Sequence, residues 1–196
     1  MELVIINTGC ANIASVAFAI ERLGMKVRVS DQPNEIESAD KLFLPGVGAA
    51  ASAMQSIREK GLDTLLPGLT QPVLGICLGM QLMGRHSEEG NANCLGMIEA
   101  DTKRMRAEGL RLPHMGWNTV QFPRQSALFE GIDAGTYFYF VHGFAMALGD
   151  YTLASCDYGQ PFSAAIGKDN FYGVQFHPER SGAAGARLLH NFIHNL

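Results

Sequence analysis

The five residues Gly-Ile-Cys-Leu-Gly at 75–79 constrain the fold of this chain more than any other segment. They follow an apolar run that begins at Pro72, and a G-x-C-x-G sequence there is typical of the sharp turn between a strand and a helix. Gly75 and Gly79 lack the side chains for which such a turn has no room, and Cys77 is left at its apex. The sequence therefore predicts a strand–turn–helix unit that exposes a cysteine.

The segments on either side of this unit predict the fold class. In the first half, apolar runs and helix caps predict strands at 3–6, 26–30, 41–44 and 73–76. Helices are predicted between them, one at about 12–23, one that follows the 45–48 loop and ends at about 58, and one from 78 to about 84. In the second half we expect short strands at 117–122, 137–141, 151–155, 162–166 and 171–176, a hairpin turn at 167–170, and a final helix at about 181–195. We therefore predict an α/β fold with a mostly parallel central sheet, helices on both faces, and additional antiparallel strands in the second half.

The composition is that of a globular protein with a sizeable core. Hydrophobic residues make up 47% of the 196 residues and charged residues 17%, so we expect a single domain over residues 1–196. The 15 lysines and arginines are scattered and the net charge is -4, which argues against a nucleic-acid partner. No apolar run is long enough to cross a bilayer, so we expect no membrane partner either.

The start of the chain and its cysteines indicate the compartment. Residues 1–6 enter an apolar strand without a basic segment or a cleavage site, so we expect no secretion signal. Cys10, Cys77, Cys94 and Cys156 show neither a C-x-x-C pair nor zinc spacing, which favours reduced thiols in the cytoplasm. Nor do the histidines predict a metal or a cofactor, since the pair His190 and His194 on the final helix has no third ligand nearby.

A base and an acid that would serve Cys77 come a hundred residues later, at His177 and Glu179. Pro178 keeps this segment extended, so that residues two apart share a face and the carboxylate can contact the imidazole. Glu179 would then fix the tautomer of His177, while His177 activates the sulfur at the N-terminus of a helix. Taken alone, a cysteine between glycines favours a buried core residue, and His-Pro-Glu could simply end a strand. The combination favours a thiol nucleophile that forms a covalent intermediate.

Two further features suit such a nucleophile. The loop Pro-Gly-Val-Gly at 45–48 contains glycines that let backbone N–H groups turn toward a ligand, and with the N–H of Leu78 they could bind an oxyanion. An ordinary strand-to-helix turn explains this loop equally well. Gln81 lies one helical turn after Cys77 and faces the same way, so we expect it to hydrogen-bond a polar substrate.

These segments resemble the class I, or triad-type, glutamine amidotransferases. The matching pieces are Pro-Gly-Val-Gly at 45–48, Gly-Ile-Cys-Leu-Gly-Met-Gln at 75–81 and Gln-Phe-His-Pro-Glu at 175–179. Within that family the chain is similar to the glutaminase subunits of imidazole glycerol phosphate synthases, on the segments at 9–16, 113–118, 139–142 and 178–181. The resemblance extends over nearly the whole chain and implies a flavodoxin-like fold.

The resemblance implies a reaction and a partner. Cys77 would attack the side-chain amide of glutamine, ammonia would leave, and water would hydrolyse the glutamyl thioester to glutamate. The ammonia would pass to a (β/α)₈-barrel cyclase subunit in a heterodimer, which makes imidazole glycerol phosphate and aminoimidazole carboxamide ribotide in histidine biosynthesis. No cofactor is implied.

The resemblance also assigns residues. It implies Cys77, His177 and Glu179 as the catalytic triad. Together with the oxyanion loop it implies that glutamine is bound by Gly46, Val47, Gly48, Leu78, Gln81, Gly143 and Phe144. It implies that the residues near the cyclase are Asn12, Met115, Trp117, Tyr139 and Arg180.

The sequence departs from the family at two places. The family usually has Ser or Thr and then Tyr where this chain has Gly143 and Phe144. The change is mild if only backbone groups contact glutamine there, whereas affinity or coupling would differ if the hydroxyls matter. Cys10 and Ala11 alter a glycine-rich motif, so the docking loop is expected to differ in shape. Two other interpretations stay open: a non-catalytic interaction or regulatory subunit on the same fold, and a glutaminase of another pathway.

Overall fold

The computed structural model describes residues 1–9 and 11–196, so the expectation about Cys10 lies outside the described residues. The strands are β1 (Leu3–Ile6), β2 (Val27–Ser30), β3 (Lys41–Gly46), β4 (Val73–Cys77), β5 (His86–Ser87), β6 (Ala92–Asn93), β7 (Asp101–Arg104), β8 (His114–Thr119), β9 (Tyr137–His142), β10 (Phe144–Met146), β11 (Thr152–Asp157), β12 (Pro161–Lys168) and β13 (Phe171–Val174).

The helices are α1 (Ile13–Glu21), α2 (Pro33–Glu37), α3 (Ala50–Glu59), α4 (Leu62–Leu65), α5 (Leu78–Leu82) and α6 (Gly182–Asn195). Helix α1 begins as predicted, because the Asn12 side chain accepts a hydrogen bond from the backbone N–H of Ser15, at 3.4 Å. Among the described helices, none combines the length and the apolar character needed to cross a membrane.

A seven-stranded sheet in the order β11-β12-β13-β4-β3-β1-β2 forms the centre of the molecule. The five strands from β13 to β2 are parallel to one another, whereas β12 is antiparallel to both of its neighbours. This arrangement confirms the predicted α/β fold. Two smaller sheets, β10-β7-β5-β6 and β8-β9, are added to it.

Both faces of the central sheet are buried, and β1 shows how its sequence achieves this. Leu3 and Ile5 point into a core that also contains Phe192 of α6, while Val4 and Ile6 point into a second core on the opposite face. Because successive side chains of a strand alternate between faces, a strand buried on both sides must be apolar at every position. The continuous run Leu-Val-Ile-Ile meets that requirement.

Several elements differ from the sequence-based expectation. The strand expected at 117–122 begins at His114 and ends at Thr119, because it pairs along its whole length with β9. The short helices α2 and α4 and the strands β5, β6, β7 and β10 were not predicted. Each has two to five residues, too few for a recognisable apolar period.

Candidate active site

The predicted turn joins β4 to α5 and places Cys77 at its apex. Cys77 has a φ of +55°, a backbone conformation that residues with side chains rarely adopt. A Cβ atom at Gly79 would lie 1.7 Å from the carbonyl oxygen of Leu44, and one at Gly75 would lie 2.7 Å from the backbone nitrogen of Met80. Glycine is therefore required at both positions by the close approach of β3, β4 and α5.

The structure places His177 and Glu179 beside this turn. Strand β13 is the parallel neighbour of β4, so that the residues following the two strands meet at the same edge of the sheet. The Nδ1 atom of His177 lies 2.7 Å from Oε1 of Glu179, and both side chains are almost fully buried. The Nε2 atom of His177 is also buried and has no hydrogen-bond partner among the described residues. This nitrogen is the one available for proton exchange with a thiol or a substrate.

The surroundings of His177 favour its charged form. Burial by itself lowers the pKa of His177, but its interactions with Cys77 and Glu179 outweigh burial and raise that pKa to about 10. An imidazole held beside a sulfur is the arrangement in which a cysteine can serve as a nucleophile. Burial raises the pKa of Cys94 to about 11 and that of Cys156 to about 12, so these two thiols stay protonated at neutral pH.

Glu179→Gln should lower the pKa of His177 and change how stability depends on pH. Because the folded-state pKa of His177 is raised, its charge stabilises the fold fully below about pH 6.5, and this stabilisation is lost as the pH rises toward about 10. The difference in unfolding free energy between the wild type and Glu179→Gln should therefore shrink over this range. Urea unfolding at pH 6 and pH 10 measures it, and a difference that does not change with pH would contradict the assignment.

Two buried glutamine side chains form a hydrogen-bonded pair next to the sulfur, which also lies 3.9 Å from the carbonyl oxygen of Val141. Gln175 is fully buried, and its Nε2 atom lies 3.8 Å from the Cys77 Sγ atom. The Nε2 atom of Gln81 donates to the carbonyl oxygen of Phe144 at 3.1 Å and to Oε1 of Gln175 at 2.9 Å. Both hydrogens of the Gln81 amide are therefore used, and only its Oε1 atom remains to accept a hydrogen bond from a ligand.

Gln175 was not among the predicted site residues, although the sequence contains a signal for it. In an extended segment Gln175 shares a face with His177, because residues two apart point the same way. Its side chain points to the sulfur for that reason. The extended conformation expected for 177–179 is not observed: Pro178–Arg180 form a 3₁₀ turn, and this turn brings Glu179 to His177.

A cleft of about 260 Å³ opens above the sulfur. Cys77, His177 and Glu179 line it, together with most of the residues expected to bind substrate: Val47, Gly48, Leu78, Gln81, Gly143 and Phe144. Gly46 is not among the lining residues. It lies behind the turn at the end of β3, where a Cβ atom would approach the backbone nitrogen of Gly79 to 2.8 Å.

Three residues that line the cleft were not among the predicted site residues: Glu89, Val141 and His142. Glu89 lines the cleft, and its Oε2 atom accepts a hydrogen bond from the backbone N–H of Ala50 at 3.2 Å, at the start of α3. It gives the cleft a carboxylate that does not belong to the His177–Glu179 pair. No motif surrounds Glu89 in the sequence, so only its position in space reveals it.

The residues expected at the interface lie around the mouth of this cleft. Asn12 and Arg180 line its rim, and the Arg180 guanidinium lies 4.9 Å from the ring centroid of Tyr139. The Tyr139 ring contacts Trp117 edge to face, and Met115 shares the outer face of β8 with Trp117. Met115 is 63% exposed and Trp117 is 55% exposed, so a large apolar surface stands next to the cleft.

No group of three potential metal ligands occurs among residues 1–9 and 11–196. The rings of His190 and His194 lie 4.4 Å apart on α6 and belong to no such group.

Comparison with known proteins connects this geometry to a family. Residues 4–196 match the family described as glutamine amidotransferase class-I. The imidazole glycerol phosphate synthase subunit HisH of Escherichia coli strain K12 is 58% identical over 194 residues, which cover 98% of this chain and 99% of that protein. The protein of the same name from Vibrio cholerae is 56% identical over 198 residues, covering 98% of each chain.

A solved structure agrees at the level of the fold. A crystal structure of a glutamine amidotransferase superposes with a TM-score of 0.74, at 20% identity, over 97% of this chain and 96% of that one.

Proposed function

The chain belongs to the class-I glutamine amidotransferase family, and we propose that it is the glutaminase subunit of an imidazole glycerol phosphate synthase. One observation supports the glutaminase activity above all others. The His177 Nδ1 atom is held by Glu179 at 2.7 Å, while its Nε2 atom is free of hydrogen bonds to the described residues and shares one cleft with Cys77. This is the geometry of a nucleophile, a base and a group that orients the base.

We propose that the Cys77 thiolate attacks the side-chain amide carbon of glutamine. The carbonyl oxygen becomes an oxyanion, which backbone N–H groups of Leu78 and of the 47–48 loop stabilise. His177 gives its proton to the leaving nitrogen, ammonia departs, and a glutamyl thioester remains on the sulfur. His177 then takes a proton from water, the resulting hydroxide attacks the thioester, and glutamate is released with the thiolate restored.

The cleft has groups that match the amino-acid end of glutamine. The free Oε1 atom of Gln81 and the carboxylate of Glu89 are acceptors that suit an ammonium group. At Gly143 and Phe144 we propose that the backbone peptide groups bind glutamine. Such contacts do not require a serine or tyrosine hydroxyl. The replacement of the usual Ser/Thr-Tyr pair by Gly-Phe is therefore expected to be mild.

We further propose that the partner is a (β/α)₈-barrel cyclase, which receives the ammonia directly. A direct transfer has a chemical reason, because ammonia released into water near neutral pH is protonated and loses its nucleophilic lone pair. The partner would bind the apolar surface beside the cleft, which is formed by Met115, Trp117 and Tyr139. Such a contact would bring the barrel close to the site where ammonia forms. The compartment consistent with this role is the cytoplasm.

Trp117→Ala should weaken binding of the cyclase by at least about tenfold, because exposed tryptophans at the centre of an interface contribute a large share of binding energy. Leu148→Ala is the matched control, since Leu148 is also an exposed apolar residue, 48% accessible, but does not line the cleft. Titration calorimetry with the purified cyclase measures both variants. Equal affinities for Trp117→Ala and the wild type would argue that the partner docks elsewhere.

The proposed function is tested by measuring glutamate production with and without the cyclase and its nucleotide ligand. We expect glutamate release in the assembled enzyme, coupled to formation of imidazole glycerol phosphate. Absence of glutamate under every condition would instead favour a non-catalytic subunit on this fold. Glutamate release without formation of imidazole glycerol phosphate, even with the cyclase present, would favour a glutaminase of another pathway.

A further inference from the structure

A line of hydrogen bonds connects the outer strand β8 to the active-site cleft. It begins at Asn118, whose Nδ2 atom lies 3.3 Å from Nε2 of His114. It continues from Nδ1 of His114 to Nε2 of His142, at 3.0 Å. It ends where Nδ1 of His142 meets the carbonyl oxygen of Phe144, at 2.9 Å. The proposed reaction uses neither histidine directly.

The direction of each hydrogen bond follows from the two ends of this line. A carbonyl oxygen can only accept, so Nδ1 of His142 carries the hydrogen, and in a neutral ring its Nε2 must then accept. Nδ1 of His114 is consequently the donor to His142, and Nε2 of His114 accepts from the amide nitrogen of Asn118. The remaining hydrogen of that amide nitrogen is also used, by the carbonyl oxygen of Asp157 at 2.9 Å. Both imidazoles are thus fixed as Nδ1–H tautomers.

The setting of the two rings keeps them uncharged. Both are buried, and His114 is stacked between Tyr158, at 4.0 Å, and Phe140, at 4.9 Å. Burial lowers the pKa of His114 to about 4, and burial together with the neighbouring histidines lowers that of His142 to about 3, even though its bond to Phe144 acts in the opposite direction.

His142 and Phe144 both line the cleft, and the Phe144 carbonyl is the point at which this line of hydrogen bonds reaches the Gln81 side chain. The same oxygen accepts from Nε2 of Gln81, which in turn donates to Gln175, and Gln175 points its amide nitrogen at the Cys77 sulfur. His142 therefore holds an atom that also determines how the Gln81 amide is oriented. A change at His142 would loosen the peptide at 143–144 and, with it, one of the two hydrogen bonds that orient the Gln81 amide.

We propose that His114 and His142 are positioning residues for glutamine hydrolysis: two neutral imidazoles that fix the Phe144 carbonyl and, through it, the Gln81 amide beside the substrate. This inference rests on the proposed function, because it concerns the binding of glutamine in the same cleft. Since the groups they position contact the substrate and not the reacting bond, their loss should raise KM more than it lowers kcat.

Steady-state glutaminase kinetics of the assembled enzyme test this proposal. His142→Leu should raise the KM for glutamine by about tenfold and change kcat by less than about threefold, as expected for loss of one buried hydrogen bond. His142→Asn places an amide nitrogen where Nδ1 was, so it should keep KM within about threefold of the wild type. His114→Phe keeps the ring stacking and loses the hydrogen bond, so it should raise KM by a smaller factor than His142→Leu.

A control separates positioning from general destabilisation. Asn191 is another buried side chain that donates to two backbone carbonyls, those of Leu128 and Glu130, but it lies on α6 and does not line the cleft. Asn191→Leu should lower stability and leave KM unchanged. A KM for His142→Leu equal to that of the wild type, or a His142→Asn variant as impaired as His142→Leu, would overturn the proposal.

The tautomers are tested without any activity assay, by ¹⁵N NMR of histidine-labelled wild-type protein at pH 7. We expect two neutral rings protonated on Nδ1, and a charged or Nε2-protonated ring at either position would overturn the proposal. The two hypotheses can fail separately. A wild-type assembly that never releases glutamate refutes the proposed function, whereas normal wild-type activity with an unaffected KM in His142→Leu refutes only the positioning role.

Discussion

Replacing Cys77 with alanine should abolish glutamate release while synthesis from added ammonium salts, with the cyclase present, survives. Loss of a nucleophile from a triad lowers the rate on the order of 10⁴-fold or more, because the covalent route is closed and not merely slowed. The cyclase reaction needs only ammonia, so an external supply should bypass the defect. Parallel assays with glutamine and with ammonium chloride as nitrogen source measure the two activities.

The matched control is Cys94→Ala. Cys94 is also a free cysteine, but burial raises its pKa to about 11, and it does not line the cleft. This variant should retain glutamine-dependent activity within about twofold of the wild type, since a small, half-buried thiol mainly contributes packing. If Cys77→Ala still binds the cyclase but loses the ammonium-dependent activity, the result would contradict the claim that Cys77 serves only to release ammonia from glutamine.

Gly79→Ala should destabilise the protein by about 3 kcal/mol or more and remove glutaminase activity even in the molecules that remain folded. The added methyl would lie 1.7 Å from the carbonyl oxygen of Leu44. Because this oxygen belongs to the backbone of β3, it cannot move aside as a flexible side chain would. Relief requires α5 to move away from β3, and that movement would displace the Cys77 turn. Chemical denaturation and the glutaminase assay measure the two effects.

Gly68→Ala is the matched control for that substitution. A Cβ atom at Gly68 would have no neighbour within 4 Å, and its φ lies outside the positive range in which side chains are strained. This variant should be as stable as the wild type or slightly more stable, because alanine restricts the unfolded chain. Equal destabilisation by both substitutions would show that the close approach at Gly79 is not what makes glycine necessary there.

The sequence could predict the turn and the central sheet because both depend on local requirements. Glycines at 75 and 79 are needed where β4 and α5 nearly touch, and the apolar strands β1, β3 and β4 must be buried on both faces. The pairing of His177 with Glu179 was predicted correctly, but the reason was wrong. The segment is not extended: Pro178–Arg180 form a short 3₁₀ helix that begins after His177 and brings the Glu179 carboxylate back to the imidazole.

The parts that could not be predicted depend on contacts between distant segments. Gln81 and Gln175 are 94 residues apart, and His114 and His142 are 28 residues apart, so nothing in either neighbourhood reveals their pairing. Glu89 follows the short strand β5, which has no apolar period and is held by its neighbours in a small sheet. The expected substrate contact of Gly46 was inferred from the same loop as Gly48, but the loop turns Gly46 inward.

The most direct test of the account is to identify the residue that an electrophilic glutamine analogue modifies. The assembled enzyme is treated with a chloroketone analogue of glutamine and analysed by intact-mass and peptide mass spectrometry. We predict one adduct per chain, on the Cys77 sulfur, prevented by excess glutamine and absent from the Cys77→Ala variant. Modification of Cys94 or Cys156 in preference to Cys77, or labelling that glutamine does not prevent, would contradict the claim that this cleft binds glutamine and attacks it through Cys77.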